Sequence, residues 1–176
     1  MPRKIVIISA LFVLCSMVTF AQKISTSKFG DITYNMTQKQ VEALNQDKST
    51  ASKSADDEMM EQDVVVNGIK YHLRYYKNLK TKQSEVFMVS STSPKLSTLS
   101  GIKIGSTLDD LWNLYKKYDI SVQTIERDDE TKSDRLFFLN DIDNGCVLDF
   151  YLKNNKVVKI ALSNDSGYLN NNIYEN

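Results

Sequence analysis

Cys146 and His72 are the residues of this chain best suited to covalent chemistry. A cysteine attacks as its thiolate, and a neighbouring imidazole is a common base for taking the proton. His72 is the sole histidine, and Cys146 is the only cysteine outside the first 21 residues. Strand alternation sets them apart. Cys146 runs in phase with Leu148, Phe150 and Leu152, an apolar row, whereas His72 runs in phase with Lys70, Arg74 and Tyr76, a polar row. Cys146 therefore reads as a buried small hydrophobe, and a hydrolase built on it is the less favoured alternative.

Metal chemistry has a weaker case. Asp141-Ile-Asp-Asn-Gly145 resembles the start of a calcium loop, but its glycine falls at the fifth position and Leu152 stands where the twelfth-position carboxylate belongs. Asn-Gly beside acids is ordinary hairpin chemistry. The acid runs Asp56-Asp57-Glu58 and Asp128-Asp129-Glu130 have no convergent partner and read as solvated loop faces. No metal site, cofactor or catalytic set is expected. What remains is a set for binding. His72, Arg74 and Tyr76 align with Asp149, Tyr151 and Lys153 of a second segment, and aromatic and guanidinium groups on an exposed sheet face are what protein interfaces use. A small-ligand or glycan site, built on an aromatic patch such as Tyr76 with Tyr151, is the alternative use of the same face.

The elements that position these residues follow from periodicity. Thr107 with Asp110 three residues later makes a capping box, and Leu108, Leu111, Trp112, Tyr115 and Tyr118 then recur at helical spacing, with Trp112 expected in the core. Thr37 with Gln40 repeats the arrangement 70 residues earlier, predicting a helix from 37 to 46. Strands are expected at 63–66, 69–76, 85–91, 121–127, 135–140, 145–152 and 157–162, with Asn67-Gly68 as a tight hairpin turn. Residues 22–30 read as a loose lead-in, 47–55 as a loop and 56–61 as a helical turn.

The expected fold is α+β. It consists of two tandem repeats, 22–98 and 99–163, each a helix followed by an antiparallel meander, with helices on one face of the sheet and the other face open, and a polar tail at 164–176. The helix starts Asn-Met-Thr-Gln-Lys-Gln-Val-Glu-Ala-Leu and Ile-Lys-Ile-Gly-Ser-Thr-Leu-Asp-Asp-Leu, each leading into strands, resemble the superfamily of the β-lactamase inhibitory protein and the SmpA/OmlA lipoprotein. The resemblance spans most of 31–162 and implies the tandem fold more than a particular activity.

Arg3 and Lys4, an apolar run from Ile5 to Phe20 and Ala21 before Gln22 read as a secretory signal at 1–21. A lipoprotein anchored through Cys15 would need a small residue before it, and Leu14 stands there. Removing the signal takes away Arg3 and Lys4 and no acid, leaving 20 basic and 22 acidic side chains. Such a balance gives nucleic acid no basic stripe to bind. No later apolar run approaches the roughly 20 residues of a membrane span, and one remaining thiol leaves no internal disulfide. The expectation is therefore a non-enzymatic module in the periplasm or secreted, with a protein of the envelope or extracellular space as partner. Intact mass of the protein recovered from its host is expected to correspond to cleavage after Ala21; a mature chain starting at a lipidated Cys15 would contradict this.

Overall fold

The computed structural model describes residues 22–47, 53–54, 59–125, 134–141 and 143–164. The expected signal segment with Cys15, most of the expected 47–55 loop, both acid runs and the tail beyond 164 lie outside the described residues. In chain order the elements are β1 (Gln22–Ile24), β2 (Lys28–Phe29), β3 (Ile32–Thr33), α1 (Gln38–Leu44), β4 (Lys53–Ser54), β5 (Met59–Val66), β6 (Ile69–Lys77), β7 (Ser84–Ser91), β8 (Leu96–Thr98), α2 (Leu108–Tyr115), β9 (Ile120–Ile125), β10 (Asp134–Asp141), β11 (Cys146–Lys153) and β12 (Lys156–Asn164).

This arrangement corrects the expected fold. Among the described residues the protein is mostly β, with two sheets and only two helices, of 7 and 8 residues. One sheet has eight strands in the order β4-β5-β6-β7-β12-β11-β10-β9, and the other has four short strands in the order β3-β2-β1-β8. Two tandem helix-plus-meander repeats with a helical layer do not describe it, because helices of about two turns cannot cover an eight-stranded sheet. Strands cover part of it instead. Residues 22–30, far from a loose lead-in, form β1 and β2, since Ile24 and Phe29 are fully buried and β1 pairs in parallel with β8. Met59 to Glu61 are strand rather than a helical turn.

Both capping boxes form. The Thr37 Oγ1 accepts from the Gln40 amide at 3.3 Å while Gln40 Oε1 accepts from the Thr37 amide at 2.8 Å, and Thr107 and Asp110 do the same at 3.2 and 2.7 Å. The buried seam of α2 is narrower than its sequence suggests. Leu111 and Tyr115 are buried, but Trp112 is 51% and Tyr118 65% exposed, so neither is a core residue. Tyr115 fixes the helix to the large sheet by stacking on Phe150 with ring centres 6.0 Å apart, and its hydroxyl donates to Thr98 Oγ1 at 3.1 Å and meets Ser100 Oγ. The hairpin turns follow turn chemistry: Asn67 and Gly68 have φ of 52° and 69°, and Asn154 and Asn155 carry 52° and 59° between β11 and β12.

The small sheet docks on the large one where Gly30 lets the backbone come close. Tyr71 Oη, from β6, donates to Gln22 Oε1 at 2.8 Å, and a Cβ added at Gly30 would meet that Tyr71 hydroxyl, Gln22 Oε1 at 2.9 Å and Leu96 Cδ2 at 3.0 Å, at φ +63°. Gly101, at φ +97°, has nothing near its missing Cβ. Gly101→Ala is therefore expected to lose about 1–3 kcal/mol from the backbone conformation alone. Gly30→Ala is expected to lose more, through the added clash, as measured by urea unfolding of the two variants side by side.

Candidate functional site

Register places His72, Arg74, Tyr76, Asp149, Tyr151 and Lys153 on one face of the eight-stranded sheet, opposite the main core. Asp63, His72, Ser90, Ala161, Asp149, Phe138 and Ser121 form one continuous cross-strand row over seven strands. The six residues nevertheless do not converge. His72 and Asp149 are three strands apart, about 14 Å, and because β6 and β11 run in opposite directions Tyr76 and Lys153 diverge from that row toward opposite ends of the sheet, roughly 26 Å apart along the strands.

The face is also not open throughout, which corrects the expectation a second time. On its β10–β12 half Leu136, Phe138 and Val147 form a second buried cluster with Ile125 and Tyr151 against it, and Asp149 and Ala161 are fully buried. Asp149 is thus a buried carboxyl rather than an exposed contact. Burial pushes its pKa well above the ordinary carboxylate range, against the pull of Lys159. Lys159, which the sequence reading missed, sits 3.7 Å over the Tyr151 ring. Burial and then the positive charge of Arg74 lower its pKa, while Asp149 raises it. Tyr151, Lys159, Arg135 and Thr92 line a half-open groove of about 320 Å³ at the end of the sheet.

The β5–β7 half is polar and internally paired. Arg74 Nε donates to Glu61 Oε1 at 2.6 Å, Lys70 Nζ lies 2.7 Å from Asp63 Oδ2, and His72 Nδ1 lies 2.9 Å from Asp63 Oδ1, so Lys70, His72 and Arg74 of β6 each meet an acid of β5. Tyr76 donates to Glu85 Oε2 at 2.9 Å, and Asn78 and Thr81 donate to the same carboxylate. These hydrogen bonds hold Glu85 below the usual carboxylate range. For Asp63, burial pushes the pKa up, but the hydrogen bonds from Lys70 and His72 and their charges outweigh it and the net shift is downward. Lys153 stands exposed beside Lys156 at the hairpin end.

Cys146 lies on the core face, 6% exposed, with its Sγ donating to the Asn144 carbonyl at 3.2 Å and its thiol pKa raised by burial. His72 is on the other face, so the two form no dyad. Asp141 accepts from the Asn144 amide at 3.2 Å and from Asn144 Nδ2 at 2.7 Å, which is the hairpin chemistry expected of that loop. Among the described residues no three His, Cys, Asp or Glu side chains cluster as metal ligands, and no helix is long and apolar enough to cross a membrane. Comparison of the chain with protein-family models and with curated proteins finds no match.

Lys159 carried a faint sequence signal, its phase with the small residues Ala161 and Ser163, but its meeting with Tyr151 depends on the β11–β12 register. Asp149 gives a pH prediction. A folded pKa above the unfolded value means the folded chain binds more protons, so stability is intact at acid pH and falls as pH rises from about 3.9 through the folded pKa. Asp149→Asn is expected to melt near the wild-type temperature at about pH 4 and above it at neutral pH. Equal melting temperatures at both would contradict the assignment.

Proposed function

We propose that the protein is an exported, non-catalytic binding module that uses the polar half of the outer sheet face to hold an envelope or extracellular protein. The observation that carries this reading is the state of Arg74. Glu61 fixes its Nε, and among the described residues its terminal amino groups make no hydrogen bond, so a pre-oriented guanidinium edge is left for a carboxylate of the partner. Tyr76, 37% exposed, stands on the same strand as an amphipathic anchor whose hydroxyl is already satisfied by Glu85. Export rests on the leader-like segment at 1–21. A second reading, a small acidic ligand in the groove beside Lys159 and Tyr151, is favoured by that groove's volume, at the lower end of the roughly 300–1,000 Å³ of ligand sites.

Neither Arg74 nor Tyr151 is a free surface position, so affinity and stability must be read separately. A photo-crosslinking residue placed at Tyr76 is expected to capture a partner from envelope extract. Arg74→Ala is then expected to weaken that complex by more than about 1 kcal/mol. Lys153→Ala, at the far end of the face, is expected to leave it unchanged. Recovery of the protein only from cytoplasm, or an identified complex indifferent to Arg74→Ala, would overturn the proposal. Saturable binding of a small acid, abolished by Lys159→Ala, would favour the groove.

A further inference from the structure

The strongest unclaimed feature is the free edge at β9. Sheet edges invite pairing with other strands, and proteins blunt them with short strands, charges or proline. Among the described residues the other edges obey this: β4 and β3 have two residues each and β8 has three. β9 does not. It is six residues long, Ile120-Ser-Val-Gln-Thr-Ile125, with no charge, proline or glycine, and it pairs with β10 alone. Residues 121–124 are all exposed, Val122 by 41%, and none of the described residues covers that edge.

The polarity of the edge follows from one bond. The Asn140 amide donates to the Asp119 carbonyl at 2.9 Å, so Asp119 is a hydrogen-bonded partner of β10, and alternation gives the same role to Ser121, Gln123 and Ile125. The N–H and C=O groups of Ile120, Val122 and Thr124 therefore point outward. They are symmetric about Val122.

From this symmetry we propose that β9 pairs antiparallel with β9 of a second copy of this chain about a two-fold axis at Val122, joining the two large sheets into one. In that register Val122 faces itself and Ile120 faces Thr124, so every outward donor meets an acceptor. The side chains agree with the same register. Ile120, Val122 and Thr124 lie on the core side of the sheet, where Val122 stands opposite Phe137, and form an apolar seam with their counterparts; Ser121 meets Gln123 on the other side. An uncharged strand puts no like charges opposite one another in self-pairing, and it offers a charged foreign segment nothing to select. α2 packs on that same side through Tyr115 against Phe137 and Phe150, and Tyr118, two residues before β9, is exposed.

Sedimentation of the protein over a concentration series tests this, with the expected result a reversible doubling of molar mass. Val122→Pro removes an N–H that bonds nothing among the described residues, so it is expected to keep the wild-type circular dichroism and raise the dimer dissociation constant by at least about tenfold. Should that variant misfold, Val122→Lys and Val122→Glu decide: each alone is expected to be monomeric, and an equimolar mixture to dimerise, because position 122 faces itself. A protein monomeric at every concentration, or a dimer unaffected by these changes, would overturn the proposal. Capture of a foreign extended peptide on β9 of a monomeric protein would overturn it too.

Discussion

The short ladder between β7 and β12 is the contact on which the rest of the molecule depends. Four residue pairs, Met88 with Ser163, Val89 with Leu162, Ser90 with Ala161 and Ser91 with Ile160, join the strands of the first half to those of the second. Alternation makes this seam serve both faces. Val89, Leu162 and Ile160 enter the core beneath the helices, while Ser90, Ala161 and Ser163 are small and let the outer face close tightly over the join. Four strands lie on each side of this seam, and a four-stranded half has little apolar area to bury alone, so joining the two lets one core serve both.

Around that seam the aromatic residues tie the layers together. Phe137 and Phe150 meet edge to face with centres 6.1 Å apart, Tyr115 of α2 stacks on Phe150, and the Tyr115 hydroxyl reaches Thr98 of the small sheet. One side chain thus links both sheets and a helix. Tyr71 does the equivalent for β1 through Gln22, at the cost of requiring glycine at position 30.

The outer face divides where the seam divides it. Toward β5 it is a ladder of paired charges with Arg74 oriented by Glu61, and toward β10 it is an apolar cluster with a buried carboxyl at Asp149 and a cation over Tyr151. The polar half carries the proposed partner contact, while the unprotected β9 edge suits self-pairing. The two surfaces are separated by the width of the sheet, so occupying one leaves the other free.

Local rules were legible in the sequence because they act within a few residues. The two capping boxes, the Asn67-Gly68 turn, the strand runs and the opposite facing of Cys146 and His72 all follow from spacing alone. The placement of His72, Arg74, Tyr76, Asp149, Tyr151 and Lys153 on one face was legible for the same reason, since period two needs no knowledge of partners. What was not legible depended on which strands pair. Ile24 and Phe29 sit in a polar stretch, and only the parallel match of β1 with β8 turns it into a sheet. Asp149 looked exposed because its strand neighbours are hidden from sequence, yet Ala161 and Phe138 flank it once β12 and β10 take their registers. Trp112 looked buried because periodicity gives the width of an apolar stripe, whereas the tertiary contact of α2 uses only its Leu111–Tyr115 seam. Side-chain direction was set by local backbone geometry; burial, convergence and the free edge were set by long-range hydrogen-bond pairing, which no short window of sequence contains.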